Sequence, residues 1–191
     1  MHLMGLYAKG NRYKYKHYNR KRASLSRPNL INQVFKATAP NIVWLGDMTY
    51  VPTKEWTLYL AINIDVFSRK IVGWSMSSRM KDKLVIDCFL QAYGKEYPQP
   101  DLIVHTDQGS EYTSSLDQST LRQVGAKSSM SRKGNPYDNA MMESFYKTLK
   151  RELISDAYFE TRAEATQNSR EYVRFFCLIF NPSKTIIFIN I

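Results

Sequence analysis

Residues 56-WTLYLAINIDVFS-68 constrain the fold more than any other stretch of this chain. Leu58, Leu60, Ile62, Ile64 and Val66 recur at every second position, so an extended backbone points them all one way, as in a sheet strand. A second candidate strand, 42-IVWLGDMTYV-51, precedes it across the turn 52-PTKE-55, and a third, 71-IVGWSMSS-78, follows a tight turn at Arg69-Lys70. Together the three predict an antiparallel meander. Trp44, Trp56 and Trp74 read as core or packing aromatics.

Downstream the pattern changes. Residues 81-KDKLVIDCFLQAYGKEY-97 predict a helix with Leu84, Cys88 and Ala92 on one stripe, stopped by Pro98 and Pro100. A short apolar run, Leu102-Ile103-Val104, starts a fourth strand over 102–107, buried on both faces. A helix near 115–124 ends at Gly125, and 126-AKSSMS-131 predicts a short fifth strand. The loop 132-RKGNPY-137 combines Gly, Asn and Pro and is expected to be mobile. Asp138 or Asn139 then N-caps a helix over 140–153, with Met142, Phe145, Leu149 and Leu153 as its apolar stripe. A last helix starts at the capping box Thr161–Glu164 and runs to about Phe176. The sum is an α/β fold: a mixed five-stranded sheet flanked by helices.

Charge is distributed unevenly. The chain has 191 residues and a net charge of +10, yet residues 1–46 alone carry nine basic residues and no acid. A near-neutral domain with a basic arm suits a polyanion, most simply nucleic acid, and equally a solvated tail. Tyr13, Tyr15 and Tyr18 interleave with the arm's cations and favour stacking on nucleic acid. Three domains are expected: a basic arm over 1–40, a folded core over 41–176, and an atypical apolar tail over 177–191. Cys88 and Cys177 are far apart and share no zinc spacing with the three histidines, so neither a disulfide framework nor a zinc site is implied. With no signal peptide and no run of about 18 apolar residues, a reducing, cytoplasmic setting is expected.

Three acids stand in chemically suggestive places. Asp47 lies mid-strand, where an unpaired carboxylate is expensive to bury without a cation. Asp107 ends the fourth strand beside Gly109, at the carboxyl edge where open α/β sheets place ligands, although alone it reads equally as a turn or cap residue. Glu143 lies one turn into a helix and off its apolar stripe. Carboxylates converging from two strands and a helix would make a hard-oxygen site for Mg²⁺ or Mn²⁺. Such a site can hold two ions about 3.5–4 Å apart, serving the attacking and leaving oxygens at phosphorus. Asp65 reads as a turn cap or ion-pair partner of Arg69, His105 as a hydrogen-bonded structural histidine, and Asn139 as a helix-start residue that shapes the site.

The segments 44-WLGDMTYV-51, 64-IDVFSRKIVGWSM-76, 105-HTDQGSEYTS-114 and 129-SMSRKGNPYDNAMMESFYKTLKREL-153 carry a resemblance. Over residues 28–175 the chain resembles the catalytic region of insertion-sequence transposases of the retroviral-integrase (DDE) superfamily, which has a ribonuclease H-like fold. Thirty-five residues separate Asp107 from Glu143, the spacing for which this branch is named. The resemblance implies that Asp47, Asp107 and Glu143 are the catalytic metal ligands. It also implies hydrolysis at the 3′ ends of the element, followed by attack of the freed 3′-hydroxyls on target DNA. Lys147 and Lys150 share Glu143's helical face and match the lysines with which related integrases grip transposon-end DNA. Arg132, Lys133, Lys14, Lys16, Arg20, Lys21 and Arg22 complete the candidate DNA contacts. Homo-oligomers, or assembly with a full-length transposase, are the implied partners besides DNA. Both ends depart from the family pattern, which reads as truncation. The alternative is a catalytically inactive, nucleic-acid-binding remnant.

Overall fold

The computed structural model describes residues 26–155 and 157–179. Its strands are β1 (Val43–Val51), β2 (Leu58–Asp65), β3 (Ile71–Ser77), β4 (Ile103–Thr106) and β5 (Lys127–Met130). Its helices are α1 (Asp82–Glu96), α2 (Ser115–Gln123), α3 (Ala140–Leu149) and α4 (Arg162–Ile179). The strands form one sheet in the order β3-β2-β1-β4-β5. β1, β2 and β3 are the antiparallel meander, while β4 pairs parallel to both β1 and β5.

Side-chain alternation assigns each face of this sheet a different set of helices. Leu58, Leu60, Ile62, Ile64 and Val66 all enter one cluster with Leu45, Val51 and the α3–α4 residues Met142, Phe145, Leu149 and Val173. The opposite face packs Trp44, Val72, Leu102 and Val104 against Phe89 and Ala92 of α1 and Leu121 of α2. β2 is therefore buried on both faces: the residues between its apolar positions, Ala61, Asn63 and Asp65, are buried as well. Strict alternation here reflects a polar-tolerant second interior rather than solvent.

Several expectations shift by a residue or a turn. β4 ends at Thr106, so Asp107 stands just beyond the strand. The predicted helix over 140–153 is α-helical only to Leu149 and continues as a π-helical turn, Lys150–Ile154. A 3-10 turn, Pro136–Asn139, precedes α3, and its N-cap is Asn135, whose side chain accepts from the Tyr137 N–H. Neither Asp138 nor Asn139 caps with its side chain. Trp44 is fully buried, but Trp56 is 73% exposed on the β1–β2 turn and packs no core. Among the described residues no helix is long and apolar enough to cross a membrane. Apart from Ser26–Lys36 and nearby loop, the predicted basic arm lies outside the described residues, as do tail residues 180–191.

α1 lies close against β3 because Gly73 has no side chain. A Cβ there would meet the Cys88 carbonyl oxygen at 2.5 Å and the Ala92 Cβ at 2.7 Å. Backbone cannot yield as a flexible side chain does. Gly73→Ala is expected to lower stability by about 1–3 kcal/mol through forced helix displacement, measured by urea denaturation.

Candidate active site

Parallel pairing brings the first two acids together. Trp44 lies opposite Val104 and Leu45 opposite His105, and there the β1–β4 ladder stops. The same register carried two residues further sets Asp47 level with Asp107, on the sheet face that Leu45 shares with α3. Strands so paired run about 4.8 Å apart, so the two carboxylates become neighbours as the chains leave the ladder. α3 brings Glu143 to the same place. A cleft of about 530 Å³ is lined by Asp47, Asp107 and Glu143, together with Gln108, Gly109, Asn139 and the loop Ser131–Pro136.

The electrostatics of this corner are unfavourable for bare carboxylates. Burial, reinforced by the charge of Asp107 and partly offset by the Met48 N–H, pushes Asp47 up to about 7. Burial likewise raises Asp107, against an N–H bond from Gly109 and with added repulsion from Glu111. The Met48 N–H donates to Asp47 Oδ1 at 2.7 Å, and the Gly109 N–H donates to Asp107 Oδ1 at 2.9 Å. A Cβ on residue 109 would sit 2.9 Å from that same oxygen, so the turn admits only glycine without displacing the carboxylate. Hard, anionic oxygens that repel one another form a donor set suited to a divalent cation. Among the described residues, no three His, Cys, Asp or Glu side chains stand close enough together to hold a metal ion as they are placed. The three acids share one cleft.

The cleft rim is more firmly held than its Gly-Asn-Pro composition suggests. Asp138 is fully buried and accepts from Arg132 Nε at 2.8 Å, Arg132 Nη2 at 2.7 Å and the Arg132 N–H at 2.8 Å. Gln33 adds a fourth bond at 2.8 Å. The bonded guanidinium holds Asp138 well below the usual carboxylate range. The loop expected to be mobile is thus tied at both ends, and Arg132 serves that tie as well as lining the cleft. His105 is fully buried: its Nδ1 lies 2.8 Å from Ser129 Oγ, and its Nε2 lies 3.0 Å from the Asp138 carbonyl. Burial lowers its pKa, and the structural reading of this histidine holds.

Other sequence-predicted residues sort clearly. Asp65 accepts from the Ser68 N–H and hydroxyl and from the Asn41 N–H, locking the β2–β3 turn away from the cleft. Arg69 turns instead to Met141 and the Phe35 carbonyl. Lys133 lines the cleft, Lys147 is exposed, and Lys150 lies over the Tyr50 ring at 4.9 Å from its centroid. Asn139 does shape the site, donating to Asp47 Oδ2 at 3.1 Å. Lys14, Lys16, Arg20, Lys21 and Arg22 lie outside the described residues. Sequence reasoning missed Tyr146, whose hydroxyl donates to the Asp47 carbonyl at 2.6 Å. Its signal was available: a tyrosine beside an apolar stripe must find a partner for its hydroxyl. It also missed Glu111, buried beside Asp107 and accepting from Ser110 Oγ at 2.9 Å.

Comparisons with known proteins converge on one family. A family model described as Integrase core domain matches residues 37–136, and a second of the same description matches residues 124–176. The transposase for insertion sequence element IS904 of Lactococcus lactis subsp. lactis (strain IL1403) is 87% identical over 173 residues, which are 91% of this chain and 68% of that protein. An uncharacterized 31 kDa protein of insertion element IS600 from Shigella sonnei is 47% identical, over 78% of this chain and 55% of its own length. Transposase InsF for insertion sequence IS3A of Escherichia coli (strain K12) is 45% identical, over 70% of this chain and 46% of its own length. The chain therefore spans between about half and two thirds of these relatives.

Solved structures agree in fold. A simian T-cell lymphotropic virus intasome in complex with a PP2A regulatory subunit matches at a TM-score of 0.62 and 18% identity, covering 81% of this chain and 53% of that one. The HTLV-2 integrase catalytic core domain in complex with magnesium, in its dimeric form, matches at 0.51 and 24%, covering 62% of this chain and 73% of that one. A ribonuclease H-like sheet in this strand order, matched along 37–176 by the integrase core and by a transposase 87% identical over 173 residues, leaves one assignment: the chain belongs to the insertion-sequence transposases of the retroviral-integrase superfamily and carries their catalytic core.

Proposed function

We propose that this chain carries out metal-dependent phosphoryl transfer on transposon DNA, cleaving 3′ ends and joining them to target DNA. The carrying observation is that Asp47, Asp107 and Glu143 line one cleft from three different elements. These three would hold Mg²⁺ or Mn²⁺, one ion or a pair. When bound, such ions activate the attacking oxygen and stabilise the leaving oxygen in an in-line displacement. The protein's own part is positional. Gly109 and Met48 orient the carboxylates, Asn139 fixes Asp47, and the Arg132–Asp138 tie holds the rim that faces the substrate.

DNA enters this reading through charge. Lys133 stands in the cleft and Lys147 on the exposed face of α3, so phosphates approaching Glu143 meet cations on either side. The basic arm joins the described chain at Ser26, whose hydroxyl accepts from Gln108 Nε2 at 3.4 Å, and Gln108 lines the cleft. Ser26 itself thus lies at the cleft rim. Full transposition would draw on a multimer, either of this chain or with a full-length relative.

The direct test incubates the full chain with Mn²⁺ and a labelled duplex ending in the element's terminal repeat. Cleavage or joining is expected, and both Asp107→Asn and Glu143→Gln should abolish it. Binding without cleavage in the native chain would identify a nucleic-acid-binding remnant instead.

The buried charge gives a second test, made in chelator without metal. Asp47 has a folded-state pKa near 7, above its ordinary 3.8, so its protonated form favours the fold. That stability is present below about pH 4 and is lost as pH rises to about 7. Asn cannot ionise, so Asp47→Asn should stabilise the metal-free protein by up to about 4 kcal/mol at pH 8 and hardly at all at pH 4, measured by urea unfolding.

A third test concerns the arm. If about five to eight of its cations meet phosphates, log K against log[salt] should fall with a slope of roughly −4.5 to −7. Deleting residues 1–25 should flatten that slope, and an unchanged slope would place the DNA elsewhere.

A further inference from the structure

Glu143 is bracketed on its helix by two residues that both reach Asp47. Asn139 stands four residues before it and Tyr146 three after, spacings that bring side chains to one side of a helix. Asn139 Nδ2 donates to Asp47 Oδ2 at 3.1 Å, and the Tyr146 hydroxyl donates to the Asp47 main-chain oxygen at 2.6 Å. The remaining carboxylate oxygen takes the Met48 N–H at 2.7 Å. Asp47 is thereby held at its backbone and at both ends of its carboxylate, with two of the three holds coming from the helix that carries Glu143.

Neither contact is what local folding would require. Asn139 occupies the N-cap position of α3 but makes no capping bond with its side chain. Its Oδ1 is instead buried without a hydrogen-bond partner. An asparagine selected to start the helix would spend that oxygen on a first-turn N–H. Here the amide is turned so that its N–H reaches Asp47. Tyr146 makes its bond where β1 has lost its parallel neighbour, since β4 pairs with β1 only through Val43–Leu45. The hydroxyl therefore ties the helix to the strand just beyond the ladder's last pair.

We propose that Asn139 and Tyr146 are positioning residues that set the separation and orientation of Asp47 and Glu143, and through them the affinity of the cleft for divalent cations. The inference rests on the reading of these acids as cation ligands. Groups that orient metal ligands from behind typically contribute 10–100-fold in metal affinity. Neither residue need touch the cation or the DNA.

The test is Mn²⁺ binding to the full chain without DNA, by calorimetry, with circular dichroism melts on every variant. Tyr146→Phe removes one oxygen and little volume, and Asn139→Ala removes the amide. Each should weaken Mn²⁺ by roughly 10–100-fold while remaining folded at the assay temperature. Tyr172→Phe deletes a comparable hydroxyl bond, to Glu152 at 2.9 Å on the far part of the helical layer, and should bind as the native chain does. Native affinity in both Tyr146→Phe and Asn139→Ala, with binding weakened in Glu143→Gln, overturns the positioning role and leaves the cation site standing. Affinity unchanged in Glu143→Gln, or no Mn²⁺ binding by the native chain, overturns the cation reading and this inference with it.

Discussion

The parallel pairing of β1 with β4 is the constraint on which the site depends. It lasts only three residue pairs, ending at Leu45 and His105. A longer ladder would bury Asp47 and Asp107 among paired strands, and a shorter one would let the two chains diverge before the carboxylates meet. Because the ladder ends two residues early, Asp107 stands just beyond β4 while Asp47, still paired with Ile62 of β2, has lost its neighbour on the β4 side, and α3 brings Glu143 to the same cleft. The proximity carries a penalty: the charge of Asp107 adds to burial in raising the cost of ionising Asp47. That penalty is the property a divalent cation relieves, so the same geometry that weakens the bare fold would strengthen ion binding.

Apart from Glu111, whose charge adds to that of Asp107, the groups packed around this corner are neutral or internally paired. His105 is buried and its ring nitrogens engage hydroxyls and a carbonyl rather than the acids. Asp138, although an acid, is neutralised by Arg132 at 2.7 Å and further satisfied by Gln33. The rim is therefore held largely by hydrogen bonds of its own. The segment leading into β1 takes part as well. Leu30 N–H donates to Ser129 Oγ at 2.9 Å and Met130 N–H donates to the Pro28 carbonyl, so this segment lies along β5, the last strand of the sheet. It covers an edge that would otherwise be open to pairing with another chain.

Much of this was legible because it depends on periodicity and spacing. The alternation from Leu58 to Val66 identified a strand and its core face, and the stripe Met142, Phe145 and Leu149 identified the face of α3 that excludes Glu143. A glycine two residues after Asp107 marked the turn. What escaped the reading depends on tertiary partners. Asp138 reads as a helix cap by residue type, but a fully buried carboxylate is claimed by the nearest guanidinium, and Arg132 lies six residues away. Trp56 resembles a core aromatic by composition, yet a turn between two paired strands has no interior to offer it. The π-helical turn after Leu149 has no residue-type signature, since Lys, Arg, Glu, Leu and Ile all favour or tolerate an ordinary helix.

That turn bears on function through Lys150. A π-helical start shifts the side chains that follow, and Lys150 lies against Tyr50, three residues beyond Asp47 on β1. Its ammonium is also near enough to lower the pKa of Asp47, though less than burial and Asp107 raise it. A cation shared between an aromatic face and a catalytic-type carboxylate is only loosely committed to either. An exposed ring contact of this kind contributes about 0.5–1 kcal/mol. Lys147, one turn earlier and exposed, has no such partner to leave. The two lysines on Glu143's side of the helix thus differ in kind: Lys147 is exposed, whereas Lys150 is held against an aromatic face close to Asp47.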